Sequence, residues 1–162
     1  MAKFLITMLT SNDLGFLIRL VAIARELADR GHDVSLFNPW PAPTKLIKDA
    51  GLKNLRMPSP RLPTPSFDLS RISAAWDAEE MYSIMYGDVN FARTEVAFYR
   101  KMILDFEPDA LVDTGGMTAC LAARTLGIPL VSVLQGNFHP ASDGFMWWKG
   151  RRPANLPSAL EN

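Results

Sequence analysis

The strongest constraint on the fold lies near the amino terminus. KFLITMLT, residues 3–10, is a short apolar run that ends on turn formers. Such a run reads as a strand buried on both faces. Leu17, Leu20, Val21, Ala24, Leu27 and Ala28 then recur at offsets of three and four, the stripe of an amphipathic helix. Arg25, Asp29 and Arg30 fall mostly off that stripe. Gly31 supplies a left-handed stop, and HDVSLFNP, residues 32–39, follows as a second strand. Strand, helix, strand in this order predicts two parallel strands joined by a right-handed crossover.

The alternation continues more loosely. PTKLIKDAG, residues 43–51, is a short helix with Pro at its start and Gly at its end. LKNLRMP is a third strand. PSPRLPTPS then holds four of the twelve prolines, which remove backbone donors and fix φ, so it reads as a loop or stiff linker. Two helical segments follow over 70–86 and 88–106. The second carries Ala92, Val96, Tyr99 and Ile103 on one face, widened by Phe91, Phe98 and Met102. PDALVD makes a fourth strand ending at Asp113. TGGMTACLAARTLG is a helix with glycines at both ends, and IPLVSVLQG is a fifth strand. Strands are expected near 3–10, 33–38, 53–57, 110–113 and 129–134. The fold class is α/β, a Rossmann-like doubly wound parallel sheet in one domain. After Gly136 the chain reads as loop.

A length of 162 residues suits a single domain with a real core. Lys plus Arg equals Asp plus Glu at 17 each, which lacks the basic footprint of a nucleic-acid binder. The single Cys120 excludes an internal disulfide and suits a reducing cytosol. MAKFLITML is too short an apolar run for a signal peptide, and no stretch has the length of a transmembrane segment. A cytoplasmic protein is expected. No Cys and His pair has metal-ligand spacing, so no metal is expected. Neither G-x-x-x-x-G-K-[ST] nor G-x-G-x-x-G occurs.

ELADRGHDVSLFNP, DAGL and EPDALVDTGGMTACLAARTLGIPLVSV resemble the N-terminal domain of GT-B glycosyltransferases. The likeness is to nucleotide-sugar-dependent enzymes that decorate macrolides, glycopeptides and other small natural products. RGHDV and the PDALVD…AARTLGIP run carry most of it. The resemblance implies two Rossmann-like domains facing each other across a cleft. The N-terminal one holds a small hydrophobic acceptor, and the C-terminal one holds the nucleotide-sugar donor. Nothing here resembles the donor-binding motif. Residues 1–162 are therefore expected to be an incomplete acceptor-binding half, inactive alone and with no cofactor of its own. Its expected partners are the missing donor domain or a partner chain, and uncovered apolar surface near Trp147 and Trp148 predicts self-association.

In such enzymes a base beside the acceptor hydroxyl commonly follows the first strand. The resemblance places Gly15 on the family's glycine and Phe16 on the base, and Arg19 falls where Pro is usual. Phe16 accepts no proton. Asp13, in the same turn, either caps the helix or replaces the base, since some relatives use Asp there. His139 and Asp143, in the loop after the fifth strand, are the other candidates; each also reads as a solvated loop residue. Asp113, followed by Thr114, Gly115 and Gly116, stands at a strand's carboxyl end, where ligands gather in open α/β sheets. It either orients a base, holds the acceptor or caps the next helix. Trp76, Met81, Tyr82, Met85 and Tyr86 suit a broad apolar acceptor pocket or ordinary core. His32 reads as packing at its turn. Two rivals stand beside the transferase: a non-catalytic partner or binding subunit, and an unrelated flavodoxin-like nucleotide-binding module.

Overall fold

The structure is a computed structural model that describes residues 1–8, 14–38, 40–55, 83–84 and 86–133. The chain divides into two compact units, one of Met1–Thr64 with Asn90–Val133 and one of Pro65–Val89 with Leu134–Asn162. In the second unit, Gly87 packs so close to its preceding turn that a Cβ there would lie 2.6 Å from the Ser83 carbonyl oxygen.

The first unit contains the sheet. The described elements are β1 (Lys3–Met8), α1 (Leu14–Asp29), β2 (Asp33–Leu36), α2 (Pro41–Asp49), β3 (Lys53–Asn54), α3 (Val89–Phe106), β4 (Ala110–Thr114), α4 (Met117–Thr125) and β5 (Leu130–Ser132). The strands form one sheet in the order β3-β2-β1-β4-β5, and every pairing is parallel. All five expected strands are present. β1 lies at the centre and is covered on both faces, so Leu5, Ile6, Thr7 and Met8 are all buried. The outermost strands β3 and β5 are the shortest, as suits edges with unpaired backbone.

Alternation along the strands separates two cores. Ile6, Val34, Leu36 and Val112 meet Leu17, Leu20 and Ala24 of α1 and Ile47 of α2. Leu5 and Leu111 meet Phe98, Tyr99, Met102 and Ile103 of α3 and Ala119, Ala122 and Ala123 of α4. On that second face Phe37, Phe98 and Tyr99 meet as an aromatic trio, edge-on or tilted, with centroids 5.5–6.2 Å apart.

Three helices end in the same way. Gly31, Gly51 and Gly127 adopt positive φ, and each lets its own amide and the one after it reach back to orphan carbonyls. After α1, for example, Gly31 donates to Ala28 and His32 to Leu27, a Schellman stop. The sequence patterns RGH, AGL and LGI are the visible part of that device.

The structure departs from expectation at several boundaries: β2 and β5 are shorter, Asp33–Leu36 and Leu130–Ser132. β4 runs one residue past Asp113, to Thr114. α2 begins at Pro41, earlier than Pro43, with Trp40 as an N-cap that offers no side-chain hydrogen bond. The buried stripe of α3 is Phe91, Glu95, Phe98, Tyr99, Met102 and Ile103, while Ala92 and Val96 are only half-buried. The larger side chains bury more apolar area and so set the helix's rotation. Most of the helix expected over 70–86, the proline-rich loop and everything after Val133 lie outside the described residues.

Candidate functional site at the strand-order reversal

The strand order makes a site by topology. From β1 the chain steps through β2 to β3, then returns to place β4 on the other side of β1. The helices that follow β1 and β4 cover opposite faces of the sheet, the arrangement that in open α/β sheets leaves a crevice at the strands' carboxyl ends. Thr7 and Met8 end one strand, Asp113 and Thr114 the other, in register as Thr7↔Asp113 and Met8↔Thr114.

At this point the Thr7 hydroxyl donates to Asp113 Oδ2 at 2.6 Å. Asp113 Oδ1 accepts the Gly116 amide at 2.7 Å and the Cys120 thiol at 3.5 Å. The Asp113 side chain therefore ties β1, the turn after β4 and the first turns of α4 to one carboxyl group. Gly115 turns the chain with φ of 74°, a conformation that favours glycine. Gly116 is needed for a different reason. A Cβ there would stand 2.6 Å from Asp113 Oδ2, inside the space the carboxylate occupies. One residue on, the Thr114 hydroxyl donates to the Val133 carbonyl at 2.7 Å and holds the end of β5.

Asp113 is 1% exposed. Burial pushes its carboxyl up to about 6, against the pull of its donors Thr7, Gly116 and Cys120. The Cys120 thiol is pushed up to about 12, first by burial and then by the Asp113 charge beside it. It is a hydrogen-bond donor held in its neutral form, the opposite of an activated thiolate. Asp113 thus holds the Gly116 amide at the entry to α4 with a carboxyl that is closed to solvent.

Gly15 is exposed and Phe16 half-buried in the first turn of α1. The Phe16 ring packs against the core formed by α1, β1 and β2, and the Arg19 guanidinium lies 6.0 Å over it. Asp13, His139, Asp143, Trp76, Met81, Tyr82 and Met85 lie outside the described residues. His32 accepts the Ala2 amide on Nδ1 at 3.2 Å and meets Phe4 edge-on, at the amino end of the sheet and away from the crevice.

Three features of this edge escaped the sequence reading. Thr7 has a legible signal: a polar residue inside a strand buried on both faces requires a partner. A second is an asparagine cluster beyond β2. Buried Asn38 accepts the Trp40 amide on its side chain at 2.9 Å, and its carbonyl accepts from Asn54 Nδ2 at 3.0 Å and Thr44 Oγ1 at 3.2 Å. It fixes the β2–α2 turn and leaves Trp40 partly exposed. The third is Glu95, buried on α3, whose Oε2 accepts the Thr118 hydroxyl at 3.0 Å. Among the described residues no group of three His, Cys, Asp or Glu is placed to hold a metal ion. No helix among them is long and apolar enough to cross a membrane.

No family model and no curated protein matches the sequence, but solved structures do match the fold. MurG of Acinetobacter baumannii aligns over 82% of this chain and 35% of its own, at 18% identity and a TM-score of 0.56. SsfS6, a glycosyltransferase of Streptomyces sp. SF2575 solved with thymidine diphosphate, aligns over 83% of this chain and 38% of its own, at 20% identity and a TM-score of 0.56. This is the fold of one half of a GT-B glycosyltransferase. The same half-fold is shared by the UDP-GlcNAc 2-epimerase of Neisseria meningitidis, which covers 81% of this chain and 31% of its own, at 15% identity and a TM-score of 0.51. The chain thus spans little more than a third of the MurG and SsfS6 chains, and the Thr7–Asp113 pair stands at the switch point of the GT-B half.

Proposed function

We propose that this chain is the acceptor-binding half of a glycosyltransferase that moves a sugar from a nucleotide donor to a hydroxyl of a small hydrophobic natural product. The observation that carries this reading is the match of most of the chain to glycosyltransferases that include SsfS6. The acceptor-side assignment rests on the resemblance of RGHDV and PDALVD…AARTLGIP to N-terminal domains, and on the absence of a phosphate-binding fingerprint. The nucleotide sugar belongs to a second domain or partner chain. Thymidine diphosphate in SsfS6 indicates the class of donor.

In the reaction, the acceptor oxygen loses its proton to a base as it bonds to the anomeric carbon. The bond from that carbon to the nucleotide's phosphate oxygen breaks, and the nucleoside diphosphate leaves with the electron pair. The base must lie within hydrogen-bond reach of the hydroxyl. Asp13 takes that role, in the turn that joins β1 to α1, and His139 is the alternative. Asp113 supports Asp13 by holding through Thr7 the end of β1 that leads to it. Gly15, Phe16, Gly115 and Gly116 contact the acceptor at the carboxyl ends of β1 and β4, and Trp76, Met81, Tyr82 and Met85 are further apolar candidates for acceptor contact from the sequence.

A second reading, a non-catalytic binding subunit, is favoured by one observation. Phe16, at the position the resemblance gives to the base, is a half-buried ring packed against the core. Hydrogen-exchange mass spectrometry tests the acceptor-side assignment that both readings share, and turnover of the assembled enzyme separates them. A planar hydrophobic acceptor should protect the turns after β1 and β4, and TDP- and UDP-sugars alone should protect neither. Protection by a nucleotide sugar alone would sink the acceptor-half assignment. In the assembled enzyme, Asp13→Asn should lower turnover by roughly 10²–10⁴-fold. Unchanged turnover in both Asp13→Asn and His139→Ala leaves the binding subunit as the better reading.

A further inference from the structure

The seam between α3 and α4 carries a buried carboxylate that the proposed reaction does not use. The stripe that α3 turns inward is aromatic and aliphatic except at Glu95, which is 4% exposed. An apolar side chain there would bury at no electrostatic cost, whereas a carboxylate loses its hydration. Its partner, Thr118, is itself 2% exposed and sits in the first turn of α4, two residues beyond Gly116. That first turn presents unsatisfied amides and the positive end of the helix dipole, which suits a carboxylate nearby. Burial still raises the Glu95 carboxyl above its usual range, with the Thr118 hydroxyl pulling the other way.

The rest of the seam explains why such a contact matters. α4 offers Ala119, Ala122 and Ala123 to the large side chains of α3. A face of alanines has shallow relief and resists axial sliding poorly; a directional hydrogen bond supplies what packing lacks. Polar contacts tie both ends of the seam. Arg100 donates to Thr125 at 2.6 Å at its exposed end, and Glu95 accepts from Thr118 at the end that carries Gly115 and Gly116.

We propose that Glu95 is a positioning residue of the switch-point site: through Thr118 it sets the axial position of α4, and so the Gly116 amide that grips Asp113. One carboxylate holds the first turn of α4 from the sheet and the other holds it from α3. The relevance of this to sugar transfer rests on the function proposed above; the coupling itself does not.

The test reads Asp113 and Gly116 in the chain alone, without substrate, so its outcome is independent of whether transferase activity is found. Amide exchange at Gly116 and the carbon-13 titration of the Asp113 carboxyl are compared in the wild type, Glu95→Leu, Glu95→Gln and Thr118→Val. Glu95→Leu and Thr118→Val should speed Gly116 exchange by about tenfold, the factor for one lost hydrogen bond, and move the Asp113 midpoint upward. Glu95→Gln keeps an acceptor for Thr118 and should restore both readouts. Thr118→Val removes only a hydroxyl and keeps the shape, so it carries the test if Glu95→Leu does not fold. Wild-type exchange at Gly116 and an unmoved Asp113 midpoint in folded Thr118→Val would overturn the proposal. So would a Glu95→Gln variant that behaves like Glu95→Leu.

Discussion

Thr7 and Asp113 face each other across the β1–β4 pair, hydroxyl to carboxylate at 2.6 Å, where neither is more than 1% exposed. A hydrogen bond to an ionised group contributes about 1.5–3 kcal/mol, roughly twice a neutral one. Thr7→Val keeps the shape and removes the donor. Its cost should therefore reach about 1.5–3 kcal/mol above the Asp113 midpoint and fall by about half below it. Urea unfolding at about pH 8 and about pH 5 measures both. An equal loss at the two values would mean that Asp113 does not change charge between them.

Asp113 also gives the fold a pH dependence of unusual sign. Its carboxyl is raised from 3.8 to about 6 on folding, so between those values the folded state binds the extra proton. Stability then falls as pH rises through that window and levels off above it. At 1.36 kcal/mol per pH unit the ionised form costs the fold roughly 3 kcal/mol. Subtracting the stability curve of Asp113→Asn from that of the wild type isolates the effect from other carboxylates. A flat difference from about pH 4 to about pH 7 would contradict it.

Gly116 and Gly115 are adjacent and should fail differently. Gly115→Ala meets an unfavourable φ and should lose about 1–2 kcal/mol at any pH. Gly116→Ala has an ordinary φ of −87° but pushes a methyl into the Asp113 carboxylate. It should lose about 1–3 kcal/mol, more above the Asp113 midpoint than below it. Equal pH responses of the two variants would count against the contact.

Cys120 should resist labelling. A thiol raised from 9.0 to about 12 holds roughly a thousandfold less thiolate near pH 8 than an ordinary one. Reaction with a disulfide reagent should therefore be at least about a hundredfold slower in the native chain than in urea. Asp113→Asn, which removes the neighbouring charge, should quicken it. Labelling at the unfolded rate would show that the thiol is open and unperturbed.

At the far end of α3, Glu107 holds φ of 52°, left-handed for a residue with a side chain. Its amide closes the helix on the Ile103 carbonyl at 2.8 Å. Glu107→Gly should stabilise the fold by of order 1 kcal/mol, relieving backbone strain at some cost in unfolded-state entropy. No gain in melting temperature would place the strain elsewhere.

β1, β2 and β4 were legible because buried strands read as mostly apolar runs, and the helix stops because glycine supplies a left-handed turn cheaply. α2 was placed late because Trp40 is no recognisable cap, so Pro43 looked like the start. Asp113 was visible as a polar residue at a strand's end. Its bond to Thr7 was not, since threonine is a common strand former and its partner lies 106 residues away. Glu95 was hidden for a similar reason: an acid on a helix reads as solvated until Thr118, 23 residues on, is brought against it.

The central place of β1 has a consequence during synthesis. One edge of β1 is satisfied early by β2, but the other waits for β4, with Phe4 pairing to Ala110. At about 5–20 residues per second the ribosome needs roughly 3–10 s to go from β3 to β4. For that interval the nascent chain carries Leu5 and Ile6 on an open strand edge, the surface on which chains stick to one another. The lock that finishes the crevice is thus also the step that ends the chain's exposure to aggregation.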